Sequence, residues 1–168
     1  TYHYYQEHHR PWADQVQKHL PALMRWGSTL APVVNAVSNW RLTRWALNRW
    51  GGLHRARSLP TLYRHHFRKW YRQHRPILPA ASQKQVLLWD DCFTTFTEAE
   101  IGQAAVQVLE ATGHDVELVE PVCCGRPLIS KGFLQEARQL IAKQAAVLYP
   151  RIKSGIPILG LEPSCLLT

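Results

Sequence analysis

Four cysteines, Cys92, Cys123, Cys124 and Cys165, hold all the thiol chemistry of this 168-residue chain. Two of them are adjacent, in "EPVCCGRPLIS", residues 120–130. A disulfide between sequence neighbours requires strained geometry, so the pair needs another explanation. Successive side chains on an extended segment diverge, and Cys123 and Cys124 could grip different atoms of one object. An iron–sulfur cluster presents several irons and suits such divergent thiolates. A single zinc favours closely spaced C-x2-C pairs, which the chain lacks. The bland alternative is that the thiols are small buried hydrophobes. Gly125 suits a tight turn where backbone approaches a ligand. Arg126 and Lys131, with the start of the following helix, would favour thiolate over thiol. No histidine stands beside the cysteines to act as a base, which ranks a thiol–disulfide exchange enzyme last.

The elements that must position these thiols follow from the apolar pattern. "QVLLW", "DVELV" and "IPILGL" read as three short strands. Between them, "EAEIGQAAVQVLEATG" reads as a helix with Ile101, Ala105, Val108 and Leu109 inward and Gly113 closing it. Thr97 and Glu100 have the spacing of a capping box. "ISKGFLQEARQLIAKQAAVLYPRI" reads as one helix carrying Phe133, Leu134, Ala137, Leu140, Ile141 and Val147 inward. Strand, helix, strand, helix, strand at this spacing predicts an α/β unit, a small parallel three-stranded Rossmann-like half-domain. Each cysteine follows a strand, and in a parallel sheet the loops after the strands gather along one edge. Thiols more than seventy positions apart in the sequence are thereby brought to a common edge.

The front of the chain differs in texture. Residues 1–85 hold fourteen Lys and Arg against two acids, Glu7 and Asp14, while residues 86–168 hold six against ten. Six of seven tryptophans lie in the first part and all four cysteines in the second. "RPWADQVQKHLPALMRWG" places Trp12, Val16, Leu20, Leu23 and Met24 at near-helical spacing, with Gly27 as a stop. A further helix capped by Ser38 or Asn39 is expected to end at Gly51 and Gly52. "PTLYRHHFRKWYRQHRP" then places Leu62, His66, Phe67, Trp70 and Tyr71 on one side with arginines on the other. Pro76, Pro79 and "AASQ" read as a linker. The organisation expected is a basic, Trp-rich helical connector over residues 1–79 and a cysteine-bearing unit over 80–168. Arginines interleaved with aromatics can mark nucleic-acid or anionic-membrane binding. The plainer expectation is that the tryptophans pack on a neighbouring domain while the arginines cover the outer faces. The pairs His8-His9 and His65-His66 read as surface residues, because neighbours on a helix point apart.

Irregular cysteine spacing does not suit a secreted disulfide framework, which favours a reducing, cytoplasmic setting. No run of about twenty apolar residues is present to span a membrane. A start at Thr1 and a stop just past Cys165 suggest an internal piece of a longer protein.

"CCGRPL", with "DDCFTTF" before it and "LEPSC" after it, resembles the cysteine-rich CCG domain. That domain occurs in heterodisulfide reductase, in the iron–sulfur subunits of glycolate oxidase, in anaerobic glycerol-3-phosphate dehydrogenase and in lactate-utilisation proteins. "EIGQAAVQVLEATGHDVE" and "GLEPSCLLT" are most similar to large bacterial fusions of an FAD-linked oxidase, a ferredoxin module and a CCG region. Residues 80–168 then correspond to a first, truncated CCG repeat. The resemblance implies Cys92, Cys123, Cys124 and Cys165 as ligands of an iron–sulfur cluster, a 4Fe-4S centre, with Gly125 and Arg126 beside it. Glu162 stands where the family's closing Cys-x-x-Cys has its first cysteine, and would join the ligands as a poorer donor, making the cluster labile.

The implied function is an electron-transfer segment of an FAD and iron–sulfur oxidoreductase of the 2-hydroxy-acid dehydrogenase class. Lactate, glycolate or 2-hydroxyglutarate would supply electrons through FAD in another part of the full protein, and the segment alone would not be catalytic. Its implied partners are the flavin and ferredoxin modules of the same polypeptide and a quinone or membrane surface, with no nucleic acid. Its implied location is cytoplasmic, peripheral at the inner face of the membrane. The competing expectation is a membrane- or nucleic-acid-binding helical module whose cysteines are structural, binding zinc or nothing.

Overall fold

The computed structural model describes residues 1–50, 54, 56–76, 84–120 and 123–168. The described chain opens with helices α1 (Tyr4–Glu7), α2 (Trp12–Lys18), α3 (Leu20–Thr29), α4 (Ala31–Asn39), α5 (Arg41–Trp50) and α6 (Phe67–Gln73). There follow β1 (Lys84–Trp89), α7 (Cys92–Phe96), α8 (Ala99–Ala111), β2 (His114–Leu118), α9 (Arg126–Ser130), α10 (Leu134–Lys153), β3 (Ile158–Gly160) and α11 (Pro163–Leu166). The expected α/β architecture is present. Among the described residues the sheet has three parallel strands in the order β2-β1-β3, with Val86 opposite Val116 and Leu88 opposite both Leu118 and Leu159.

The central position of β1 explains its unbroken apolar run, because a strand covered on both faces has no solvent side to make polar. Alternate side chains enter opposite layers. Val86 and Leu88 face a core with Phe67, Ala99, Val106 and Val116, supplied by α6, α8 and β2. Leu87 turns to the other layer, against Val119 and Leu148, the latter from α10. Full burial of each such side chain is worth about 1.5–3 kcal/mol. The first crossover runs from β1 out to β2 and the second returns from β2 past β1 to β3, so the strand order reverses between β1 and β3. In open parallel sheets such a reversal leaves a crevice where ligands bind.

Several local expectations are corrected. Helix α8 turns Ala99, Gly102, Val106 and Glu110 inward, while Ile101 and Val108 are exposed. The cause lies outside the helix: fully buried Phe67 sits so close to Gly102 that an added Cβ would lie 2.7 Å from its ring. The inward Glu110 is satisfied by His74 Nε2 at 2.8 Å. Thr97 and Glu100 form no capping box, since Thr97 Oγ1 donates to the Phe93 carbonyl instead. Ser38 and Asn39 likewise donate to the Asn35 carbonyl within their own turn rather than capping α5.

Gly27 lies inside α3 and does not stop it, and Gly51 and Gly52 fall outside the described residues. The helix expected across residues 60–76 is confined to α6. The proposed linker lies mostly outside the described residues. Finally, the long helix expected after the adjacent cysteines is broken at Gly132, whose φ of 74° divides α9 from α10. Leu134 and Val147, expected inward on it, are exposed.

The front helices are tied to the α/β unit. Lys131 Nζ pairs with the buried Asp14 carboxylate at 2.9 Å, and Lys18 with Glu136 at 2.8 Å. Arg10 donates to the carbonyls of Lys131 and Gly132 and lies over the Phe133 ring at 4.2 Å. On the outer side Trp26, Trp40, Trp45 and Trp50 are exposed. Among the described residues no helix is long and apolar enough to cross a membrane.

Candidate metal centre at the strand ends

The turn after β1 is built on two carboxylates. Asp91 caps α7, its Oδ1 accepting from the Phe93 and Thr94 amides at 2.8 and 3.2 Å. An Asp in this position satisfies amides that the first helical turn leaves without partners. Asp90 is buried and held by a two-pronged Arg68 contact, Nε to Oδ2 at 2.8 Å and Nη2 to Oδ1 at 2.6 Å, with Thr95 Oγ1 at 2.6 Å. Burial raises the Asp90 carboxyl above its ordinary range, and Arg68 and Thr95 oppose that rise. The "DDC" triplet thus fixes the turn that presents Cys92. Sequence reasoning passed over it, although Asp after a strand and before Thr is a recognisable capping pattern.

After β2, the Cys123 carbonyl accepts from Gln144 Nε2 of α10 at 2.8 Å. Gly125 adopts a φ of 82°, the left-handed region that favours glycine, and starts α9. After β3, Glu162 caps α11, its Oε1 accepting from the Ser164 amide at 3.1 Å and from Ser164 Oγ. These bonds hold its carboxyl below the usual range, with Arg126 assisting. Arg126 Nη1 also donates to the Ser164 carbonyl at 3.1 Å, tying the glycine turn to the turn after β3.

The thiols meet between these turns. Cys124 Sγ lies 3.2 Å from Cys165 Sγ across 41 residues of sequence. Cys124 is lowered to about 6 by a hydrogen bond from the Cys123 thiol, helped by the Arg126 amide and the Cys165 thiol, against its own burial. Cys123 is raised in return by that same bond and by burial. Burial, then Asp91 and Cys124, push Cys92 up to about 11. Burial and the bond to Cys124 raise Cys165. The site therefore favours one thiolate steadied by neighbouring thiols.

Two sequence expectations about its electrostatics change. Lys131 is committed to Asp14. Arg126 acts on Cys124 through its backbone amide, while its guanidinium reaches the turn after β3. Nor is the site without histidine: His66 lines the same cleft as Cys92 and Cys123, stacked edge-on against Phe96 at 5.5 Å. It is half-buried rather than a surface residue.

Among the described residues, no three His, Cys, Asp or Glu side chains are grouped to enclose a single metal ion. The thiols come from three separate turns, with Cys124 and Cys165 in contact and Cys92 and Cys123 within electrostatic reach of Cys124. The all-sulfur donor chemistry fits a thiolate-bound iron–sulfur group.

The match of the cysteine-rich domain model, CCG, runs over residues 86–168, from β1 to the last residue of the chain. Residues 86–168 belong to the CCG cysteine-rich domain family. The CCG segment thus contains all three strands, apart from the first two residues of β1, and every cysteine. Similarity to curated proteins reaches further forward. One subunit of the anaerobic glycerol-3-phosphate dehydrogenase of Escherichia coli K12 is 31% identical over 137 residues, 80% of this chain and 34% of that protein. D-2-hydroxyglutarate dehydrogenase of Pseudomonas putida is 29% identical over 90 residues, 54% of this chain and 9% of that protein. Lactate utilization protein A of Bacillus cytotoxicus is 36% identical over 56 residues, 33% of this chain and 23% of that protein. The chain thus spans about a third or less of these relatives. No solved structure matches.

Proposed function

We propose that this chain is an electron-transfer segment of an oxidoreductase, in which Cys92, Cys123, Cys124 and Cys165 hold an iron–sulfur cluster, a 4Fe-4S centre. The observation that carries it is the meeting of Cys124 and Cys165, 3.2 Å apart, from the ends of different strands. The adjacent, diverging Cys123 and Cys124, the lack of a C-x2-C pair and the lack of three ligands grouped around one ion among the described residues favour a group with several irons over a lone zinc. The cluster would supply one-electron transfer. The chain's own residues do the rest. Asp91 and Gly125 fix the two turns, Arg126 ties the glycine turn to the Glu162 turn, and, before any cluster is bound, the Cys123 thiol steadies the Cys124 thiolate. Glu162, occupied with Ser164, rims the site as the weakest donor. Two relatives with "dehydrogenase" in their names support an oxidoreductase setting. In it, a 2-hydroxy acid or polyol phosphate would be oxidised elsewhere in the full protein at FAD, and ferredoxin-type modules would deliver electrons here. Residues 1–79 would serve as the connector and 80–168 as one CCG repeat, at the cytoplasmic face of a membrane.

Anaerobic reconstitution with ferrous iron and sulfide, followed by iron and acid-labile sulfide analysis, tests this. Retention of both through desalting, with a brown charge-transfer absorption, is expected. A colourless protein that retains neither would overturn the proposal.

A further inference from the structure

A cleft of about 760 Å³ lies between α3, the start of α6 and the cysteine turns. It is within the size range of small-molecule sites. Cys92 and Cys123 line one part of it, and Arg25, Trp26, His66 and Arg72 line another. The positive charge there is only partly balanced. Asp90 neutralises Arg68, whereas Arg25 and Arg72 form no ion pair with any described residue. His66 Nδ1 is buried without a hydrogen-bond partner among the described residues. Burial, followed by the charges of Arg72, Lys69 and Arg68, lowers the imidazole pKa.

From this arrangement we infer that the cleft binds a small organic carboxylate beside Cys92 and Cys123. Guanidinium groups match a carboxylate in both charge and planar geometry. Trp26 and Phe96 offer apolar surface to a carbon skeleton, which a mineral oxyanion such as phosphate could not use. This site deepens the electron-transfer proposal, since its occupant would lie next to the thiols that hold the cluster. Binding itself rests on Arg25, Arg72 and Trp26 and does not require iron.

Isothermal titration with benzoate, and separately with inorganic phosphate, on iron-free and iron-loaded protein tests the inference. Saturable benzoate binding is expected, at least tenfold tighter than phosphate. The double variant Arg25→Gln/Arg72→Gln should weaken it at least tenfold, while Arg138→Gln, on α10 and outside the cleft lining, should leave it unchanged. Both replaced arginines are exposed, so the fold should tolerate their loss. Trp26→Ala, at a side chain 75% exposed, should weaken benzoate and not phosphate. Absence of saturable binding, equal loss in Arg138→Gln, or phosphate binding as tightly as benzoate would overturn the inference. Benzoate binding by protein that cannot retain iron would leave this site standing while the cluster proposal fell.

Discussion

At the scale of single residues, the adjacent cysteines are unequal. A thiol donating to its neighbour stabilises the neighbour's anion and forfeits its own, which is how Cys123 lowers Cys124 to about 6. In iron-free protein, alkylation of Cys124 by iodoacetamide should therefore follow a titration centred near pH 6, falling away below it as the thiol is protonated. Cys92 should stay unreactive until about pH 11. Cys123→Ala removes the donated bond and should move the Cys124 midpoint upward, toward that of an ordinary cysteine. Mass spectrometry of quenched samples resolves the sites, and equal midpoints for Cys92 and Cys124 would refute this account. The cysteines themselves were legible in the sequence because thiols are few and their positions after strands are plain. The carboxylates beneath Cys92 were not, since Arg68, the partner of Asp90, lies 22 residues earlier in a stretch that reads only as a basic helix.

At the scale of elements, strands were easier to anticipate than helix faces. A central parallel strand announces itself as Val86, Leu87 and Leu88 in succession, and the sheet needed little else. The inward face of α8 could not be read from its own periodicity, because the choice depended on Phe67 seating against Gly102. Ile101 and Val108 form as regular a stripe as the buried set, yet they face outward. The break at Gly132 was likewise hidden inside an otherwise helical pattern. The β1–α7 turn is the element most dependent on a remote partner. Arg68→Met would leave the buried Asp90 carboxylate unpaired and should destabilise the protein by about 3–5 kcal/mol in denaturant unfolding. The pH dependence follows from a folded-state pKa above the unfolded one. Such an acid binds more protons when folded, so stability falls as pH rises from the unfolded toward the folded pKa. Removing Arg68 raises that pKa further. The defect should thus be largest near neutral pH and shrink as acid protonates Asp90; a loss independent of pH would point to packing alone.

At the scale of the whole molecule, the charge division between the two halves does not correspond to two separate bodies. Phe67 from the basic front lies fully buried in the core under β1, and Asp14 receives Lys131 from the turn between α9 and α10. Phe67→Ala should cost about 3–5 kcal/mol and lower the unfolding midpoint of the molecule in a single transition. Unfolding of the front alone, with the sheet unaffected, would contradict this shared core. Trp26, Trp40, Trp45 and Trp50, which the sequence reading expects to meet a neighbouring domain, present exposed side chains along α3 to α5.

The central claim is that three strand ends deliver four sulfurs to one centre. It is tested most directly by reconstituting Cys92→Ala, Cys123→Ala, Cys124→Ala and Cys165→Ala separately and measuring bound iron and sulfide in each. Every one of the four variants should lose most of its iron and its visible absorption while keeping its far-ultraviolet circular dichroism. Full iron and unchanged absorption in all four folded variants would show that these thiols do not share a cluster.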